Sequence, residues 1–232
     1  MKIKHGMILT AGLGKRMQPL TNKKPKPLIE IEGSTLLERA ISLLVNHGVE
    51  EITVNVHHLA NQIEKFISDF TSEVKFKISN EKDLLLDTCG GVKKGTKEFK
   101  DNPFFVINPD TLWSNKYSKE VQSLEKEYFT NKRPCLLLGR KELSLDNSFK
   151  GDFNLKNNLI SKDEQNQFIF TGLQIMKNDH LNLFNKNIFS MNEVWKKLIS
   201  ENNLGGLESN QKFYHLNTKE IFEKLSSLSS ID

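Results

Sequence analysis

Apolar residues recur along this chain with two periods, and the period changes from segment to segment. Short alternating or continuous apolar runs at Lys4–Thr10, Glu51–Val56, Val74–Ser79, Phe104–Asn108 and Pro134–Gly139 predict strands. Between the first two strands, Leu36, Leu37, Ala40, Ile41, Leu44 and Val45 follow helix spacing. Thr35 and Glu38 form a capping-box pattern at its start, and Gly48 supplies a stop. Leu59, Ile63, Phe66, Ile67 and Phe70 mark a second helix. This alternation predicts an α/β fold: a Rossmann-like, mostly parallel mixed sheet with helices on both faces. Ligands of such sheets bind beyond the carboxyl ends of the strands, so the loops after Thr10, Val56, Ser79 and Asn108 are the places to search.

The second half is less regular. Lys116–Lys132 mixes acids and bases and predicts a solvated helix face, and polar Lys141–Gln167 predicts irregular structure or a small hairpin. Phe168–Met176 predicts a strand, Ser190–Asn202 a helix, Gln211–Leu216 a short strand and Thr218–Leu228 a final helix. Trp195, with Val194 and Leu198, is expected in the core. No repeat or Pro/Gly/Ser-rich linker divides the chain. A single domain over 1–232 is expected.

Composition narrows the classes. The 232 residues include 33 Lys plus Arg and 29 Asp plus Glu, a formal charge of +4 spread along the chain, which does not suggest a nucleic-acid partner. No apolar run approaches the roughly 18 residues of a membrane span. Gly12, Gly14, Lys15 and Arg16 interrupt the first apolar stretch, so a signal peptide is not expected. Two cysteines, Cys89 and Cys135, make no disulfide framework, and a cytoplasmic protein is expected, as a monomer or small homo-oligomer.

The chemistry concentrates in Leu9–Leu28, LTAGLGKRMQPLTNKKPKPL. Glycines after a strand allow a tight turn and close approach of backbone N–H groups to an anion. Lys15 and Arg16 place cations beside that cradle, and Lys26 stands between Pro25 and Pro27, which stiffen the segment. The pattern is not a Walker A loop. It is not a dinucleotide fingerprint either, since Met17 stands where a third small residue is needed, and the second strand ends 42 residues after Gly14 without an acidic ribose ligand. An oxidoreductase is therefore disfavoured.

This segment resembles the signature [LI]AAGxGxRMxPLTxxxPKPL of sugar-1-phosphate nucleotidylyltransferases, with Thr10 in place of one alanine. Further similarities follow in order: Asn55 and Leu59; Glu81; Leu86-Asp87-Thr88 with Gly90-Gly91; Asn108-Pro109-Asp110; Trp113; Gly151-Asp152-Phe153; and Thr171-Gly172-Leu173. The chain most resembles the short N-acetylmuramate-1-phosphate uridylyltransferase branch of cell-wall recycling. The resemblance implies transfer of UMP from UTP to a sugar 1-phosphate, with Mg²⁺, or Mn²⁺, as cofactor, and a single domain with a nucleotide-binding half at 1–115 and a sugar-phosphate-binding half at 116–232. It implies Arg16, Lys26 and Asp110 as catalytic residues. Ala11, Gly12, Gly14, Lys15, Asn55, Asp87, Thr88 and Gly90 would contact the nucleotide, and Asn108, Asp152, Thr171 and Gly172 the sugar phosphate. Leu86–Gly91 would line the base; Asp87 or Thr88 could equally cap a helix there.

Asp110 ends an apolar strand, where a carboxylate suits Mg²⁺. His215 stands where the family's W-x-D-V-G-T-P-E segment carries its second metal-binding Asp. Three readings of His215 remain open: a direct phosphate donor, a weak metal ligand beside Asp110, or a mark of impaired catalysis. The last motivates a competing function, a non-catalytic nucleotide-sugar-binding regulator. Guanylyl or cytidylyl transfer to another phosphorylated acceptor would use the same phosphate-binding parts. Cys89 replaces a family glycine and is expected to be a buried thiol rather than a nucleophile. His57 and His58, adjacent in an extended segment, are not expected to share a metal.

Overall fold

Neighbouring residues of the same strand serve opposite cores in the computed structural model of the chain, which describes residues 1–228. The strands are β1 (His5–Leu9), β2 (Glu30–Ile31), β3 (Ser34–Thr35), β4 (Glu51–Val56), β5 (Lys75–Asn80), β6 (Phe104–Ile107), β7 (Cys135–Arg140), β8 (Asn154–Lys156), β9 (Leu159–Ser161), β10 (Phe168–Met176) and β11 (Gly205–Ser209). The helices are α1 (Leu36–His47), α2 (Ala60–Asp69), α3 (Asp87–Gly95), α4 (Ser118–Asn131), α5 (Asn178–Asn182), α6 (Met191–Ser200) and α7 (Lys219–Ser226). Nine strands form one sheet in the order β5-β4-β1-β6-β10-β7-β11-β9-β8. β5, β4, β1 and β6 run parallel, as do β7 and β11. β10 lies antiparallel between β6 and β7.

The period of two explains the layers. Ile8, Phe105, Ile107 and Leu137 face a core closed by α1, α2 and α4. Met7, Phe104, Val106, Leu136 and Leu138 face the opposite core, closed by α3, α5 and α6. A third cluster of Met17, Leu36, Leu112, Leu216, Ile221 and Leu225 ties the first loop to α7. The capping box predicted for α1 forms: Thr35 accepts from the Glu38 amide, and Glu38 accepts from that of Thr35. Gly48, at φ 101°, ends the helix in the left-handed region, where glycine carries no side-chain penalty. The charged segment expected as a helix is α4, and its inner face buries Val121, Leu124 and Tyr128. The expected hairpin is β8–β9, turned by Asn157 and Asn158, both at positive φ. Trp195 is buried against Phe153 and Phe170, with its indole N–H donating to Gln174.

One expectation needs correction. The strand near the carboxyl end is Gly205–Ser209, not Gln211–Leu216. Gly206 faces Ile160 and Leu155, either of which a Cβ would approach to 2.9 Å, so the strand's poverty in side chains is a packing requirement. Residues 211–216 instead run past the carboxyl ends of β6 and β7, making single bridges at Phe213 to Ser144 and at His215 to Thr111. The helix left open at Asp87 or Thr88 is α3, whose sequence DTCGGVKKG carries three glycines. Tertiary packing of Cys89 and Val92 overrides its low helix propensity. Among the described residues, no helix is long and apolar enough to cross a membrane.

Candidate active site

The carboxyl ends of β1, β4, β5 and β6 open onto a cavity of about 370 Å³. Its wall runs through Thr10–Gly12 and Gly14–Met17, then Lys26, Asn55, Glu81, Leu85, Asp87, Thr88, Asn108–Asp110 and Asn217. The first loop leaves β1 and turns through Gly14, at φ 62°. A Cβ there would come within 2.8 Å of Thr21 Cγ2, so conformation and space both require glycine. Gly12 differs: no protein atom lies within 4 Å of where its Cβ would stand, which leaves the backbone open to the cavity. Lys15 and Arg16 follow in a single 3₁₀ turn, both exposed.

Lys26 is held more tightly. Pro25 is extended, at φ −63° and ψ 143°, and both Pro25 and Pro27 are buried. The Lys26 ammonium donates to Asp110 Oδ2 at 2.7 Å, and its side chain is 14% exposed. Asp110 sits beyond β6. Burial opposes its ionisation, but His215 and Lys26 outweigh that and bring its pKa down to about 2. Its other oxygen, Oδ1, is buried with no hydrogen-bond partner. His215 Nε2 lies 3.6 Å from Asp110 Oδ2, and the ring stacks on Phe213. Burial lowers the His215 pKa, Asp110 partly opposes, and Lys26 and Arg16 lower it further, so the imidazole is neutral at neutral pH.

Behind this surface runs a buried polar brace. Asn55 Oδ1 accepts from the Thr10 amide at 2.7 Å, and Asn55 Nδ2 donates to Glu81 Oε1 at 2.8 Å. Glu81 Oε2 accepts from the Leu86 amide at 3.0 Å. The Thr10 hydroxyl returns to the Asn55 carbonyl. One chain of hydrogen bonds therefore fixes the loops after β1, β4 and β5 relative to one another. Gly91 lets α3 approach it, since a Cβ there would stand 2.7 Å from Glu81 Oε1.

A sequence model described as nucleotidyl transferase matches residues 5–135, more than half the chain. The chain belongs to that family. It is 28% identical over 221 residues to an N-acetylmuramate alpha-1-phosphate uridylyltransferase of Caulobacter vibrioides, covering 92% of this chain and 91% of the relative. Its fold is similar to a putative glucose-1-phosphate thymidylyltransferase from Bacillus anthracis in complex with a sucrose (TM-score 0.80, 17% identity, 98% and 96% of the two chains). It is likewise similar to a UDP-glucose pyrophosphorylase complexed with UDP-glucose (TM-score 0.79, 16% identity, 97% of each chain).

In this nucleotidyl transferase the residues singled out in the sequence separate into groups. Ala11, Gly12, Gly14, Lys15, Arg16, Lys26, Asn55, Asp87, Thr88, Asn108 and Asp110 share the cavity wall. Asn55 is there as part of the brace, with both ends of its amide engaged by protein. Asp87 begins α3 at φ 62°, and the Thr88 hydroxyl accepts from the Met191 amide, so neither side chain makes the expected cap on α3. Gly90 lies away from the cavity: its N–H goes to the Phe189 carbonyl, and a Cβ would strike the Asn187 carbonyl at 2.1 Å. It borders a larger cavity of about 640 Å³ across α3, which contains none of Arg16, Lys26 and Asp110.

The residues expected on the sugar side, apart from Asn108, also lie outside the wall. Asp152 accepts from the Phe170 amide, and the buried Thr171 hydroxyl donates to Leu137. Gly172, at φ 99°, packs on Asn108, with its carbonyl accepting the Asn108 amide at 2.8 Å. These contacts shape the floor behind Asn108. His57 and His58 turn to different partners, the Glu81 and Thr21 carbonyls. Cys89 is a buried thiol whose pKa burial pushes up to about 12. Asn217, which the motif reading passed over in favour of His215, does line the cavity.

The donor set suits a hard divalent cation: an ionised carboxylate with a buried, unpaired oxygen at the mouth of a cationic cleft. Among the described residues no cluster of three or more His, Cys, Asp and Glu side chains is available, so further ligands must come from amide or phosphate oxygens and water.

Proposed function

We propose that this chain transfers UMP from UTP to a sugar 1-phosphate, with N-acetylmuramate 1-phosphate as the leading acceptor, and releases pyrophosphate. The single observation that carries the reading is the convergence of Arg16, Lys26 and Asp110 on one cavity behind the open backbone at Gly12. The uridylyl and muramate assignments rest on the likeness to the Caulobacter vibrioides relative. A binding-only regulator would have little use for the ordered Lys26–Asp110 pair, which positions charge at a reacting centre.

The attacking group is a phosphate oxygen of the sugar phosphate. It forms a bond to the α-phosphorus of UTP as the bond from that phosphorus to the α–β bridging oxygen breaks, and the electron pair leaves with pyrophosphate. Both reactants are anions, so positioning and charge neutralisation dominate. Arg16, exposed and forked, grips the oxygens of the leaving pyrophosphate. Lys26 sits deeper and is already ordered, so it meets the charge developing between the two phosphates with little reorganisation. Asp110 remains ionised through the physiological range and holds Lys26 in place. With Mg²⁺ or Mn²⁺ bound through Asp110, the ion would neutralise phosphate charge.

A matrix of the four nucleoside triphosphates against N-acetylmuramate, N-acetylglucosamine, glucose and mannose 1-phosphates, read by pyrophosphate release, tests the proposal. The highest kcat/KM is expected for UTP with N-acetylmuramate 1-phosphate. No release from any pair, with UTP still bound, would favour the regulator.

A further inference from the structure

Two residues that line this cavity each carry a buried oxygen that can only accept hydrogen bonds and has no protein donor. The oxygens are Asp110 Oδ1 and Asn217 Oδ1. Asn217 is 6% exposed, and its amide orientation is fixed chemically. Its Nδ2 lies 2.8 Å from Asp146 Oδ2, and an ionised carboxylate only accepts, so the NH₂ end must face Asp146. Asp146 is itself anchored by the Ser148 amide and hydroxyl. The carbonyl end of Asn217 is thereby turned away from Asp146. The two oxygens belong to joined segments, since the Leu216 amide donates to the Asp110 carbonyl at 2.7 Å and His215 bridges Thr111.

His215 fits less well as the second ligand. Its Nε2 faces Asp110 Oδ2, the oxygen already taken by Lys26, and its Nδ1 lies 3.5 Å from the Thr111 hydroxyl. Imidazole is also a poor partner for Mg²⁺, which prefers oxygen.

We propose that Asn217, through Oδ1, is the second protein ligand of the divalent cation in this chain, paired with Asp110 Oδ1, and that His215 is not a ligand. The second ligand has thus moved two residues along the segment, from the position where the resembled pattern has Asp to the one where it has Gly. Asp146 acts as the positioning residue that aims the amide. The inference rests on the metal-dependent reading of the site given above.

Water-proton relaxation enhancement by Mn²⁺, measured with UTP and no sugar phosphate, separates protein-bound metal from Mn²⁺ on free nucleotide. Asn217→Gly should weaken Mn²⁺ binding to the UTP complex by about tenfold or more, and His215→Ala by less than about twofold. The double change His215→Asp with Asn217→Gly should restore binding to within about threefold of wild type. Weakening in His215→Ala with none in Asn217→Gly overturns the proposal, and so does no change in either. A measurement on the unaltered chain needs no variant to fold. Adding Mg²⁺ to the UTP complex should shift the side-chain amide resonances of Asn217, and unmoved resonances overturn the proposal. An active wild-type enzyme with an unaffected Asn217→Gly variant sinks this inference alone, whereas absence of UMP transfer by wild type sinks the proposed function.

Discussion

The buried brace and the cationic rim of the cavity lie within a few residues of each other and solve opposite problems. In the brace, both ends of the Asn55 amide and both oxygens of Glu81 have protein partners. On the rim, Lys15 and Arg16 are exposed and no salt bridge to either is found among the described residues. Lys26 and Asp110 stand between the two, half-buried and paired with each other. Groups that must hold geometry are satisfied internally, because an unpaired polar group in the interior costs stability. Groups that must meet a ligand are left with capacity to spare.

The sharpest way to break this division is at Lys26. Lys26→Ala should lower kcat by about 10²–10³, roughly 3–4 kcal/mol, with a much smaller change in UTP affinity, as pre-steady-state and binding measurements will show. An unaltered kcat removes Lys26 from the mechanism. The brace should respond in stability instead. Glu81→Ala strands the Asn55 amide and the Leu86 N–H and should cost about 3 kcal/mol, read as a lower urea midpoint. A variant of full stability but lost activity would place Glu81 on the rim side. Asp110 should show both characters. Its pKa falls from 3.8 to about 2 on folding, so its contribution is present above about pH 4 and lost as pH falls through about 2. Acid unfolding of wild type should therefore lose roughly 2 kcal/mol more across that window than Asp110→Asn. The smallest effect is expected at Lys15, where Lys15→Ala should raise the KM for UTP by about threefold at low salt and less at high salt.

The parallel half of the sheet was legible because its signals agree. β1, β4 and β6 are short apolar runs, and α1 carries its own caps. The first loop was legible because Gly14, Lys15, Arg16 and Pro25-Lys26-Pro27 each have a local reason for their place. What escaped depends on partners far along the chain. Gly90-Gly91 looked like a base-reading backbone, yet the pair serves close packing against Asn187 and Glu81. Gly205–Ser209 is a strand because β7 and the β8–β9 hairpin make it one. Residues 211–216 alternate like a strand, but they run past the carboxyl ends of β6 and β7 and deliver Asn217 to the cavity. No local pattern distinguishes an amide whose NH₂ end is claimed by Asp146 from any other asparagine.

The placement of β10 between β6 and β7 has a consequence for inheritance. A cut between β6 and β7 separates the ladder β5-β4-β1-β6 from the ladder β10-β7-β11-β9-β8, and in the sheet the two are joined through the antiparallel pairing of β10 with β6. Recombination that swaps the front of this protein with that of a distant cousin would keep both ladders whole and place the hybrid's seam along that one pairing. New acceptor preferences can therefore arise by exchange of halves as well as by point changes and loop edits.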